Sequence, residues 1–168
     1  MRDCRITTIY EGTTGIQAND LIGRKIARDS STTVKALIVM MQATHGELVN
    51  QSGGDFTAIA DALGRGITAL QSAVDYVVAN FASDVRAVSV GAVPFLNLMG
   101  TVSGGWIMAR SALIAHGKIT AGISDPFYAA KLVTARYYAD HAMSAATGLA
   151  SEVVNGGASG LSLAEELF

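Results

Sequence analysis

From Phe56 to Phe81 apolar residues return every three or four positions: Phe56, Ile59, Leu63, Ile67, Leu70, Val74, Val77 and Phe81. That spacing lays them along one side of a long α-helix, and Asp61, Arg65, Gln71 and Asp75 fall away from the seam toward water. Upstream, Val34, Leu37, Ile38, Met41 and Leu48 make a second stripe, predicting a helix from about Thr33 to Gln51. Gly53-Gly54 should close that helix, as glycine commonly does, and Asp55 should cap the start of the long one. A shorter helix is expected ahead of both, from Thr14 to about Asp29, stopped by the capping residues Ser30-Ser31-Thr32-Thr33.

Downstream of Phe81 the pattern predicts two more long helices. The first starts at Ser83-Asp84 and reaches Ala115-His116, with Pro94 inside it removing one backbone hydrogen bond and kinking or breaking it. Gly91, Ala92, Gly100, Gly104 and Gly105 thin its surface so that neighbours can approach, and Trp106 is a large core or interface anchor. Each mid-helix glycine costs about 1 kcal/mol relative to alanine, so tight packing is expected to offset them. Gly117 and Gly122 bracket the next turn. Ser124-Asp125-Pro126 then opens the last long helix with a cap and a proline in its first turn; it should run through Tyr137-Tyr138 to about Val154 and stop at Asn155-Gly156-Gly157. Ser162-Leu163-Ala164-Glu165 matches a capping box, predicting a short helix over Ser162–Phe168. No stretch alternates with period two. The expected fold is all-α: a short helix, then an antiparallel up-down four-helix bundle.

Length and composition narrow this further. A chain of 168 residues, half of them hydrophobic and 15% charged, can bury a sizeable core and is excluded from disorder. A net charge of −2 gives no clustered basic surplus for nucleic acid. The single cysteine, Cys4, cannot form an internal disulfide, and the polar N-terminus has no secretory apolar core, so the cytoplasm is the expected compartment. Ala87–Ala109 carries no charge and is long enough for a membrane span, with Gly100 and Gly104 at small-xxx-small spacing. Asn97, Ser89, Thr101, Ser103 and Pro94 dilute it, and no basic cluster or aromatic belt flanks it. A helix buried on all sides reads the same way, and that reading, with no membrane span, is the one expected here.

The candidate chemistry lies near the N-terminus, in Ile9-Tyr10-Glu11-Gly12-Thr13-Thr14-Gly15-Ile16-Gln17. One carboxylate stands between an aromatic residue and a glycine, on a turn that feeds a helix start, where anions are favoured. Glycine lets backbone approach a ligand closely. A glutamate so placed can serve as a base, although a glutamate before a glycine is commonly just a solvated loop residue. Arg2-Asp3-Cys4-Arg5-Ile6, IYEGTTGIQ and Asp20-Leu21-Ile22-Gly23-Arg24-Lys25 together resemble the C-terminal signature of the flavin-dependent acyl-CoA dehydrogenases, roughly R-D-x-x-I-x-x-I-Y-E-G-T-x-x-I-Q. GAVPFLNLMGTVSGGWIMARSAL resembles the extra helical domain of the methylmercaptopropionyl-CoA-dehydrogenase-like members. The resemblance implies a division at about residue 30: the end of a catalytic domain over 1–30, and a four-helix-bundle domain over 31–168.

By that resemblance Glu11 is the base that removes a proton next to the thioester carbonyl, and its backbone N–H helps polarise the thioester oxygen. Gly12 would line the acyl-CoA, and Thr13, Thr14 and Gly15 would touch FAD; many relatives carry glutamine where this chain has Gly15. The implied partners are an acyl-CoA substrate, the remaining dehydrogenase domains, further copies of the chain and an electron-transfer acceptor. No G-x-G-x-x-G follows a strand and no β-rich segment is present, so the isolated chain is not expected to turn over. The other candidates read as structural. His45, His116 and His141 lack metal-site spacing, so no metal is expected; Tyr137, Tyr138 and Asp140 read as packing and surface groups, Met40, Met41, Met99 and Met108 as core fillers, and Cys4 as an ordinary thiol. The alternative function is a stand-alone helical bundle that mediates interaction or oligomerisation without chemistry.

Overall fold

A computed structural model describes residues 5–6, 9 and 12–167, and among these there are helices and turns but no strand. The fold class is therefore all-α. In chain order the helices are α1 (Thr14–Asp20), α2 (Thr32–Val49), α3 (Gly54–Asn80), α4 (Val85–Val90), α5 (Ala92–Thr120), α6 (Pro126–His141), α7 (Ala146–Asn155) and α8 (Gly157–Gly160). The centre of the molecule is α3 against α5, and each of these also packs on α2, α6 and α7. One core runs through them all. Phe95, Leu98 and Val102 of α5 and Leu70, Val74 and Val77 of α3 are fully buried, each such side chain contributing about 1.5–3 kcal/mol of transfer free energy.

The seam on α3 is as its spacing requires: Phe56, Ile59, Leu63, Ile67, Leu70, Val74 and Val77 are buried, with Phe81 packed at the edge, while Asp61, Arg65 and Asp75 are exposed. Several boundaries differ from expectation. α2 ends at Val49 with Asn50 at its C-cap, and Gly53, at φ +116, opens α3 instead of closing α2. Asp55 is not the cap of α3: it lies in the first turn, where its carboxylate accepts from Arg136 of α6 at 2.9 Å. Ser162 donates its hydroxyl to the Ser159 carbonyl, and the expected terminal helix is a single 3-10 turn at Glu165–Leu167.

Pro94 does not kink a helix. The chain breaks one turn earlier, at Gly91, and α5 starts at Ala92, which puts Pro94 in the first turn. There its missing N–H would have had no intrahelical partner, so the ring costs nothing it would cost mid-helix. Gly91 marks the break because α7 comes close: a Cβ there would stand 3.1 Å from the Val153 Cα. The helix start expected at Ser83-Asp84 is found, and Asp84 caps α4 there, accepting from the Ala87 N–H at 3.0 Å. Asp125 caps α6, accepting from the Phe127 N–H at 2.9 Å, with Pro126 at its first position. α5 runs past His116 to Thr120, and Gly122, at φ +83, makes the turn.

The last long helix is interrupted. Between α6 and α7 the backbone tightens into a 3-10 turn at Met143–Ala145. Met143 is buried there, and its thioether lies against two glycines, Gly66 of α3 and Gly105 of α5, where any Cβ would collide with it. One turn away Tyr138 fills the notch at Gly104 and donates its hydroxyl to the Thr101 carbonyl at 3.1 Å. Burial pushes the Tyr138 phenol above its ordinary pKa, so it remains a neutral donor. Gly100, in contrast, has nothing within 4 Å of a would-be Cβ, so it is not a close-approach site inside the bundle. On the opposite side of α5, Trp106 donates its indole N–H to Thr44 Oγ1 of α2 at 2.8 Å, and Thr44 passes the chain on to the Met40 carbonyl at 3.2 Å.

These contacts give two stability predictions. Gly104→Leu must displace Tyr138 and should cost about 1–3 kcal/mol, whereas Gly100→Ala in dilute solution should gain about 0.5–1 kcal/mol from helix propensity. Thermal melts of the two variants check this; equal shifts would remove the notch. Thr44→Val keeps the shape and strands the indole N–H, with an expected loss of about 1–3 kcal/mol. A urea titration followed by the fluorescence of Trp106, the sole tryptophan, measures it, and an unchanged midpoint would mean the bond contributes nothing.

Candidate functional site

The leading helix carries the candidate site. α1 does not stop at Asp20 but continues without a break into a π-helical stretch, Leu21–Ala27, held by wide-ring bonds such as Arg28 N–H to the Gly23 carbonyl at 3.0 Å. π-turns are rare and costly in isolation. Here tertiary packing supports one: Ala18, Ile22 and Ile26 all point into the core, and Gly23 lies under the Phe81 ring, 3.1 Å from a would-be Cβ. Arg24 pairs with Asp20 at 2.9 Å along the outer face. One side of this helix is thus fastened to the bundle.

Its N-terminal end is open. Gly12 has φ +141, a conformation that favours glycine, and neither Gly12 nor Gly15 has an atom within 4 Å of a Cβ position. Thr13 is the N-cap residue; its carbonyl accepts from the Gln17 N–H at 2.8 Å, and its side chain makes no capping bond. Gly12, Thr13, Thr14 and Gly15 are all exposed, so the structure gathers four of the five candidate residues on one surface turn. Glu11 lies outside the described residues, as does Cys4. Around the turn, large apolar side chains face outward: Ile9 is 82% exposed and Ile16 69%.

Clefts lie elsewhere on the bundle. A groove of about 540 Å³ runs between α3 and α7, lined by small and hydroxylated residues such as Gly64, Thr68, Ser72, Thr147 and Ser151. A second, about 340 Å³, is walled by Arg24, Arg28 and Phe81. The three histidines sit apart: His116 edges against Phe56 at 5.0 Å, His141 lies on Tyr137 at 4.2 Å, and His45 flanks Gly64. Among the described residues no three His, Cys, Asp or Glu side chains converge.

The arrangement defines an all-helical bundle that presents an open glycine-threonine turn at one end. The chain matches the family model described as "Acetyl-CoA dehydrogenase C-terminal like" over residues 32–164, and it belongs to that family. It is 39% identical, over 142 residues, to the 3-methylmercaptopropionyl-CoA dehydrogenase of Ruegeria pomeroyi, covering 84% of this chain and 24% of that protein. It is 29% identical to the broad-specificity linear acyl-CoA dehydrogenase FadE5 of Mycobacterium tuberculosis, over 83% of this chain and 24% of that protein. A butyryl-CoA dehydrogenase of Syntrophomonas wolfei is 27% identical over 82% of this chain and 23% of its own length. The chain therefore spans about a quarter of the length of these relatives.

Sequence reasoning missed the side chain that caps α2. The Ser30–Thr33 cluster does not supply it: Ser30 and Ser31 take left-handed φ values of 50 and 61, and Ser31 is buried with its hydroxyl donated to the Ser30 carbonyl at 2.6 Å. Asp29 reaches over this turn, and its carboxylate accepts the Thr33 N–H at 2.7 Å. That bond, aided by the Thr33 hydroxyl, holds the Asp29 carboxyl below its ordinary value of 3.8. A lowered carboxylate pKa means the stabilisation is complete above the unfolded value and is lost as pH falls through the folded one. The acid-side drop in melting temperature, below the ordinary value of 3.8, should accordingly be shallower in Asp29→Asn than in the parent chain. Superimposable pH profiles would show that the cap does not couple to folding.

Proposed function

We propose that this chain is the C-terminal portion of an FAD-dependent acyl-CoA dehydrogenase that introduces an α,β double bond into an acyl-CoA thioester. The observation that carries the reading is the Gly12-Thr13-Thr14 turn, which follows Glu11 in the sequence and stands at the head of a helix whose inner face is locked into a bundle of this family. The division at about residue 30 fits it: the catalytic loop and its helix belong to the dehydrogenase core, and the bundle follows as a separate domain. Exposed Ile6, Ile9 and Ile16 form the side on which the other dehydrogenase domains would close.

The residues suit such ligands. Open space at Gly12 and Gly15 permits backbone to approach a flat ring or a thioester, and the first N–H groups of a helix favour anionic groups. FAD, when bound, supplies the acceptor for the hydride. Glu11 takes the proton from the carbon beside the carbonyl; its N–H steadies the thioester oxygen as charge develops there. Gly12 gives the acyl-CoA room, and Thr13, Thr14 and Gly15 hold the cofactor edge, Gly15 through backbone alone. The enzyme works as a homo-oligomer in the cytoplasm and hands electrons to a separate acceptor. α5 is long and apolar enough to cross a membrane, but with Phe95, Leu98 and Val102 in the core we read it as a bundle helix. A second reading, an interaction bundle without chemistry, draws support from the core being closed without any flavin domain.

In the full-length enzyme, Glu11→Gln should leave FAD bound and lower turnover about 10²–10⁴-fold. The isolated chain mixed with FAD and acyl-CoA under anaerobic conditions should not bleach the flavin. Near-normal turnover in the Gln variant would place the base elsewhere; failure of the full-length protein to bind flavin at all would favour the interaction bundle.

A further inference from the structure

We propose that the π-stretch Leu21–Ala27 takes up one residue more than an α-helix of its span would hold, and that by doing so it fixes the direction in which the Gly12–Gly15 turn faces. The inference rests on the dehydrogenase reading only for what the turn does. The register itself belongs to this chain.

The leading helix is pinned at both ends. Upstream, Ala18 and Ile22 are buried in the core. Downstream, Ile26 is buried as well, and the helix closes in a left-handed turn. Ser30, at φ 50, donates its N–H to the Ala27 carbonyl at 3.1 Å, and Ser31 donates its own to the Ile26 carbonyl at 2.9 Å. That pair of bonds is a common way of ending a helix, and the burial of Ser31 holds the closure against the bundle. Between the two pins the number of residues is fixed, so a surplus one has no way out at either end.

Rotation about the helix axis shows the surplus. An α-helix turns about 100° per residue, so a step of four overshoots one full turn by about 40°. Unbroken α-geometry would therefore face Ala18 about 80° away from Ile26. Bonds that reach five residues back, such as Arg28 N–H on the Gly23 carbonyl at 3.0 Å, put more residues into each turn and cancel the overshoot. Ala18, Ile22 and Ile26 then point into one core. Gly23 lies within the widened turns, and the Phe81 ring stands where its Cβ would project. Removing one residue from the stretch makes the spacing from Ala18 to Ile26 seven, which is two α-turns to within about 20°. An ordinary α-helix would then keep the same contacts. Adding one residue leaves nothing to take it up, and everything upstream, the turn included, rotates by about 100°.

The consequence is an asymmetry that a plain helix does not show. The comparison, in the full-length enzyme, is between deletion of Lys25, which is exposed, and an alanine inserted between Arg24 and Lys25. Amide hydrogen exchange over residues 14–27 reads the register without flavin turnover: protection should persist in the deletion and fall in the insertion. The deletion should keep its bound-flavin absorbance and a kcat within about tenfold of the parent, whereas the insertion should lower kcat about 10²-fold or more by misplacing the turn. Combining both changes restores the length and should restore kcat, which separates register from loss of the lysine side chain. Equal loss of protection in deletion and insertion would mean that the helix holds no surplus residue, and would overturn the proposal. Parent-like kcat in the insertion would equally overturn it, because the helix would then not direct the turn. A parent enzyme that binds no flavin would sink the dehydrogenase reading instead, and the exchange measurement would still decide the register.

Discussion

The fold depends on three glycines. Gly66 on α3 and Gly104 and Gly105 on α5 open notches that Met143 and Tyr138 occupy. Protein interiors pack to near-crystalline density, so α6 and α7 can lie this close to both central helices only if something is missing from their surfaces. What is missing is three Cβ atoms. The same demand explains the break between α6 and α7: a continuous helix would carry Met143 past the notch, and the 3-10 turn at Met143–Ala145 sets it in. Helix propensity is given up at these three glycines so that Met143 can be buried, and Tyr138 half-buried, at the crossing.

Around that crossing the polar ties are few and placed where they fix orientation. The Tyr138 hydroxyl on the Thr101 carbonyl sets α6 against α5, and the Trp106 indole on Thr44 sets α2 against α5 from the other side. Arg136 bridges Asp140 and Asp55 at the rim, joining α6 to the start of α3. The rim pairs are solvent-exposed and worth at most about 1 kcal/mol; the buried Trp106–Thr44 bond is the costlier one to break, because its loss leaves a donor without water.

The parts of the fold legible in the sequence were those fixed by local signals: the stripes on α2 and α3, the helix start at Asp84, the Asp125 cap, and the close approach at Gly104. What escaped was decided by partners distant in the chain. Gly91 breaks the fourth helix because Val153 of α7 lies on it, and that break turns Pro94 from an interior defect into a first-turn residue. Nothing near Met143 signals that the last helix must tighten there; its reason is Gly66 and Gly105. Gly100 and Gly104 look alike in sequence, yet only one of them meets a neighbour within the chain. At the candidate site the motif named candidate residues, and the structure added that Gly12 through Gly15 form one exposed turn; Glu11 itself lies outside the described residues.

The two faces of the leading helix explain why chemistry and scaffold divide as proposed. Its inner face, Ala18, Ile22 and Ile26, is fixed by the bundle, and the π-stretch keeps both isoleucines on that side. On its outer side and in the turn before it, Ile9 and Ile16 are exposed. A catalytic base needs its geometry held to a fraction of an ångström and a dry surrounding to raise its pKa. The bundle supplies an anchor for one side of the loop but neither the second wall nor the exclusion of water. In the proposed enzyme the bundle therefore sets where the loop emerges, and the domain closing over Ile9 and Ile16 makes Glu11 a base.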